Sequence, residues 1–256
     1  MSDPKIRLSH IAFRYRAQDA QPVIGDFSLD VRAGEFVSIV GPSGCGKTTL
    51  LNIVARLIPP FAGEVLVDGR TPHGPGPDRS MVFQDDAVFP WRTVEGNVAY
   101  GLESLGHSRE QVAERVNRYV DLVGLRVAKG RYPRELSGGM RKRVDLARAM
   151  AVEPAVLLMD EPFAALDVMT KEQLQAEFMA IWQLNPVTVL FVTHDLEEAL
   201  FLSDRVVAMS PPDGRITRIL DVDLQRPRRP EIKTEPAFQS MRRELAGVFH
   251  LMGGSA

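Results

Sequence analysis

The sequence predicts an α/β fold, a core of parallel strands and crossover helices interrupted by a helical insertion. Three observations lead there. The apolar runs EFVSIVG (35–41), AVLLMDE (155–161), VTVLFVTH (187–194) and RVVAMS (205–210) alternate with helical segments, as buried parallel strands do. From about 93 to 151 helical patterns dominate. At the N-terminus, KIRLSHIAFRY (5–15) and DFSLDVR (26–32) alternate apolar with polar residues, the pattern of half-exposed strands.

The strand at 35–41 runs straight into a glycine-rich turn. TTLLNIVARLI (48–58) then has a helical pattern, stopped by Pro59 and Pro60. GEVLVDG (63–69) and SMVFQ (80–84) read as strands separated by the loop TPHGPGPDR (71–79). In the insertion, Ser108 and Gln111 are spaced for a capping box. Val112, Val116, Tyr119, Val120 and Val123 then line one helical face. QRPRRPEIK (225–233) reads as an extended proline-arginine linker, with Arg228, Arg229, Arg242 and Arg243 expected in solvent. Phe238, Met241, Leu245 and Phe249 are spaced for a short terminal helix that packs on its own domain. The expected organisation is a single domain over 1–256. Its catalytic core takes about 1–92 and 152–222, a helical subdomain about 93–151, and a linker with C-terminal helix about 223–256.

Composition narrows the class. The 256 residues are 45% hydrophobic and 25% charged, as in soluble globular chains, and can bury a sizeable core without crosslinks. A single cysteine, Cys45, excludes a disulfide within the chain and fits a reducing compartment. A net charge of −2 offers no basic excess for non-specific nucleic-acid binding. The start MSDPKIRLSH lacks a signal-peptide core, and no stretch approaches the ~20 apolar residues that span a bilayer. The chain is therefore expected in the cytosol, with any membrane role carried by a partner.

Chemistry concentrates first in GPSGCGKTT (41–49), a G-x-x-x-x-G-K-[ST] loop between a strand and a helix. Gly41, Gly44 and Gly46 allow the backbone to wrap phosphate oxygens in N–H groups, and the helix N-terminus adds positive potential. Pro42, Ser43, Cys45 and Thr49 complete the cradle, with the Cys45 side chain expected to point away from the nucleotide. Lys47 supplies a point charge to the β- and γ-phosphates, and the Thr48 hydroxyl is a hard ligand suited to Mg²⁺. In VLLMDE (156–161), Asp160 and Glu161 end a buried strand, where carboxylates are costly unless they hold a cation or accept defined hydrogen bonds. Asp160 is the candidate magnesium ligand, and Glu161 the candidate general base toward an attacking water.

Joined by LSGGMRKR (136–143) and VTHD (192–195), this set resembles the ATPase subunit of an ABC transporter over nearly the whole chain. The resemblance implies a P-loop NTPase core with an N-terminal antiparallel β-subdomain and an inserted α-helical subdomain. It implies ATP and Mg²⁺ as ligands. Residues 41–49 match the Walker A loop, Asp160 the Walker B aspartate and Glu161 the catalytic glutamate. Gln84 matches the Q-loop glutamine, which reaches the magnesium and attacking water and links to the membrane partner. Ala165, Leu166 and Asp167 match the D-loop, and His194 the switch histidine. Tyr15 resembles the aromatic residue that stacks on adenine, with Phe13 close by as a competitor.

The same resemblance places Ser137, Gly138 and Gly139, at a helix start, against the γ-phosphate held by the P-loop of an opposing subunit. The expected partners are thus a second ATPase subunit, most simply a second copy, and integral membrane permease subunits. A solute-binding protein is expected indirectly, and nucleic acid is not. The implied location is the cytoplasmic face of the inner membrane.

THDLEEAL (193–200) and GPGPDRSMVFQDDAVFPWRTVEGNV (74–98) are similar to importer ATPases for nitrate, sulfonates and taurine. Phe89, Pro90 and Trp91 are read either as part of the groove for a permease coupling helix or as local core. An exporter ATPase and a non-transport ABC ATPase are the alternatives. Two departures stand in the signature. Met140 and Lys142 occupy positions where glutamine is usual, and Lys142 is expected to alter surface charge and to pair with Asp145.

Overall fold

The computed structural model describes residues 3–253. In chain order the elements are β1 (Ile6–Phe13), β2 (Ile24–Val31), β3 (Phe36–Val40), α1 (Lys47–Val54), β4 (Ala62–Val67), β5 (Arg79–Val82), α2 (Val94–Ser104) and α3 (Arg109–Leu122). They continue with α4 (Gly138–Ala151), β6 (Val156–Asp160), α5 (Val168–Leu184), β7 (Thr188–Thr193), α6 (Leu196–Leu202), β8 (Arg205–Ser210), β9 (Arg215–Asp221) and α7 (Pro236–Gly253). Backbone contacts group the chain into two compact units, Met1–Pro75 with Pro186–Ala256, and Gly76–Asn185.

In the first unit, β1 pairs antiparallel with both β2 and β4, and its inward residues Ile6, Leu8, Ile11 and Phe13 are buried. The other strands run in the order β7-β3-β8-β9. The β3 strand is buried at every position and lies parallel to β7 and β8, as its unbroken apolar run requires. The strand β9 was not anticipated. RITRILD is mostly exposed and pairs antiparallel with β8 at the sheet edge, where Arg215 and Arg218 discourage pairing with another chain.

The terminal helix α7 packs on its own unit as expected, with Phe238 and Leu245 fully buried. Arg242 pairs with Glu197 of α6 at 2.8 Å. Residues 254–256 of the expected tail lie outside the described residues. Arg228 overturns the solvent assignment: it is 6% exposed. Its guanidinium donates to the carbonyls of Leu200, Phe201 and Ser203 at the end of α6, and to those of Val222 and Leu224. Carbonyls in a helix's last turn lack intrahelical donors, and this buried cation supplies them. Burial, with Arg226 adding to it, pushes its pKa down to about 10.

In the second unit, β5 and β6 pair in parallel. The α3 helix starts with the expected Ser108–Gln111 capping box. Its Val116, Tyr119 and Val120 are buried, with Val123 at its end, while Val112 is half-buried. Asn97, fully buried on α2, organises the preceding loop. Its side chain accepts from the Phe89 amide and donates to the carbonyls of Phe89, Arg92 and Thr93. That loop presents Trp91 at 72% exposure, so the local-core reading of Trp91 is overturned. Among the described residues no helix is long and apolar enough to cross a membrane.

Candidate nucleotide site

The P-loop joins β3 to α1 in the first unit. Gly44 and Gly46 take φ of 82° and 96°, a region side chains with a Cβ resist. Gly41 is required for a different reason than the sequence suggested. A Cβ there would lie 2.6 Å from the Met209 carbonyl oxygen and 2.7 Å from Cys45 Sγ, so close packing excludes a side chain. Lys47 is buried, and its ammonium donates to the carbonyls of Gly41 (2.8 Å) and Pro42 (3.1 Å). The α1 N-terminus has no side-chain cap and no acidic residue in its first turn, which suits a polyanion. Thr48 is exposed, while Thr49 is buried. Pro42 and Ser43 are exposed, and Cys45 is fully buried, as its expected orientation requires. Burial raises the Cys45 thiol pKa, with Lys47 opposing, so the thiol is a packing group.

Around this loop the unit places two further candidates. Tyr15 is 66% exposed, its hydroxyl 2.9 Å from Thr49 Oγ1 and its ring edge-on to Phe13. Phe13 is buried in the β1 core, which leaves Tyr15 as the aromatic face open to a base. His194 is exposed at the end of β7, directly after Thr193, which pairs in register with Val40 just before the P-loop. The turn behind it is fixed: Asp195 caps α6 by accepting from the amides of Glu197 and Glu198, and Thr193 Oγ1 donates to the buried Glu198 carboxylate.

The second unit gathers the rest. Val82 pairs with Met159, so Gln84 follows β5 at the end of the sheet where Asp160 and Glu161 close β6. Asp160 is buried and Gln84 exposed. Glu161 sits at φ 41°, sparsely populated for residues with a Cβ and a conformation that concentrates at functional sites. Ser137 caps α4, accepting from the Met140 amide, and is exposed beside Gly138 and Gly139. A Cβ on Gly139 would lie 2.7 Å from Thr170 Cγ2, so the signature packs tightly against the start of α5. Asp167 of the D-loop caps that helix through the Thr170 amide, with Ala165 exposed and Leu166 half-buried before it. Hydrogen bonds from Thr170 hold the Asp167 carboxyl below its usual range. Among the described residues no group of three or more His, Cys, Asp or Glu could hold a metal.

Lys142 departs from expectation. It is 2% exposed, so it adds no surface charge. Its ammonium donates to the carbonyls of Phe83 (3.0 Å) and Gln84 (3.2 Å), and the expected Asp145 partner lies at 3.7 Å. Buried cations of this kind, like Arg228, are hard to see in the sequence, because most of the carbonyls that solvate them come from distant segments. Asn97 could have been suspected, being a polar residue between Val94 and Val98 on the apolar side of α2.

The sequence profile described as ABC transporter matches residues 24–164. The nitrate import ATP-binding protein NrtC of Synechococcus elongatus is 48% identical over 224 residues, 86% of this chain but 34% of its own length, so the chain spans about a third of that relative. The taurine import ATP-binding protein TauB of Escherichia coli O157:H7 is 40% identical over 93% of this chain and 94% of its own. A solved dimeric post-hydrolysis state of the ATP-binding cassette MJ0796, bound to ADP and Pi, superposes with a TM-score of 0.74 at 29% identity, covering 86% of this chain and 100% of that one. With the profile on more than half of its residues and such relatives along nearly all of it, this chain belongs to the ATP-binding subunits of ABC transporters.

Proposed function

We propose that this chain is the ATP-hydrolysing subunit of a membrane importer for a small solute of the nitrate, sulfonate or taurine kind. The observation that carries the reading is the P-loop itself: a buried Lys47 held by loop carbonyls at the mouth of an uncapped helix. The importer assignment rests on the relatives named for nitrate and taurine import.

In this reading Tyr15 stacks on the adenine, the 41–49 backbone and Lys47 hold the phosphates, and Thr48, Gln84 and Asp160 hold Mg²⁺. Bound Mg²⁺ supplies neutralisation of phosphate charge. Glu161 accepts the proton of the attacking water, and His194 donates to the γ-phosphate. Ser137, Gly138 and Gly139 meet the γ-phosphate bound to a second copy of the chain, and a two-fold axis makes two such sites. Closing a mostly open pair needs about 5.5 kcal/mol of differential affinity. Charge-assisted hydrogen bonds of roughly 1.5–3 kcal/mol each reach that with a few contacts per site. Permease subunits receive the resulting motion at the membrane's cytoplasmic face, and a solute-binding protein delivers the solute.

Two assays test this. Purified protein should hydrolyse ATP only with a divalent cation, and Lys47→Ala should abolish the activity. Tagged protein drawn from detergent-solubilised membranes should bring down an integral membrane permease. Retrieval of nucleic acid instead, or hydrolysis undiminished by Lys47→Ala, would count against it.

A further inference from the structure

The segment after β5 is gathered by side chains of a single helix. Lys142 donates to the carbonyls of Phe83 and Gln84. Arg141 pairs with Asp86 at 2.7 Å, and Arg148 donates to the Ala87 carbonyl. Arg148 also pairs with Asp145 at 2.7 Å. All of these donors lie on α4, whose N-terminus is the signature Ser137-Gly138-Gly139. Lys142 stands out because its ammonium is almost wholly buried and reaches the backbone of Gln84 itself. Its nearest carboxylates, Asp145 at 3.7 Å and Asp86 at 4.0 Å, lie beyond hydrogen-bond distance. The short, directed bonds of Lys142 are therefore those to the 83–84 carbonyls, which is a placement for a backbone rather than an ion pair.

We infer that Lys142 is a positioning residue for ATP hydrolysis, fixing the backbone from which the Gln84 side chain projects and making that loop move with the signature helix. The inference rests on the proposed role of Gln84 at the magnesium and attacking water. The charged ammonium gives both carbonyls charge-assisted hydrogen bonds from freely rotating donors, whereas a neutral amide could reach both only with weaker bonds confined to its plane. Glutamine at this position would hold residues 83–84 more loosely, and an apolar side chain would leave the loop to the Arg141 and Arg148 contacts further along it.

The test is a double-mutant cycle on steady-state hydrolysis, with ATP affinity measured alongside. Lys142→Met should lower kcat about tenfold while leaving ATP affinity of the isolated chain unchanged, because a misplaced Gln84 weakens the reacting geometry and not ground-state binding. Lys142→Gln should give an intermediate rate. In a Gln84→Ala background Lys142→Met should cost nothing further, since the side chain it positions is gone. Full additivity of the two substitutions, or an unchanged kcat in Lys142→Met, overturns the inference. Normal hydrolysis by Gln84→Ala alone shows that the assignment of Gln84 has failed, and the inference falls with it. Should Lys142→Met not fold, the same cycle is run with Lys142→Gln, and non-additivity remains the deciding result.

Discussion

Val40 and Thr193 face each other in parallel register, so the P-loop and His194 leave neighbouring strands at the same edge of the sheet. The carboxyl end of adjacent parallel strands is where ligands bind in such sheets. Here the register itself, set by two buried apolar runs, brings the phosphate cradle and the candidate γ-phosphate contact together.

The crowding at Gly41 gives one expectation. Gly41→Ala should cost about 1–3 kcal/mol of stability and abolish nucleotide binding, because the new methyl meets the Met209 carbonyl oxygen at 2.6 Å. Cys45→Ala should hydrolyse ATP normally, and adding it to Gly41→Ala should not restore binding, since the Met209 contact remains. Chemical unfolding and nucleotide titration of the three variants check this.

Arg228 is expected to matter for stability without touching the nucleotide. Arg228→Met strips donors from the carbonyls of Leu200, Phe201, Ser203, Val222 and Leu224, and should destabilise by about 3 kcal/mol. Arg228→Lys should recover only part of that, lacking the planar fork. A urea midpoint within error of the wild type for Arg228→Met would contradict the account.

Asp145 carries a pH signature. Burial raises its pKa, against the opposing charges of Arg148 and Lys142, with Asp86 adding to the rise and the Ala87 amide opposing it. A carboxyl raised in the folded state contributes stability that is fully present below its unfolded pKa, about 3.9, and is lost as pH rises through the folded value. Relative to Asp145→Asn, the wild type should therefore gain stability as pH falls from neutrality toward the ordinary carboxylate range. Urea unfolding of both proteins across that window measures it; a wild-type advantage that grows with rising pH would be the opposite result.

What the sequence made legible were features whose chemistry is local. The P-loop glycines, the Ser137 and Ser108 caps and the carboxylates ending β6 each announce themselves within a few residues. Less legible were features whose physics is tertiary. Arg228 and Lys142 look like surface cations until the chain brings backbone carbonyls around them. Trp91 could be read from sequence as groove or as core, and its 72% exposure shows only in the folded loop that Asn97 organises. The edge strand β9 hides because its exposed face leaves no apolar run.

The central claim is that each site is completed by a second copy, and the mass of Glu161→Gln in solution with ATP and Mg²⁺ tests it most directly. Light scattering should report a dimer holding one ATP per chain. Adding Ser137→Arg should return it to a monomer that still binds ATP. A Glu161→Gln protein that stays monomeric with ATP bound, or a Ser137→Arg chain that cannot bind ATP alone, would contradict the shared site.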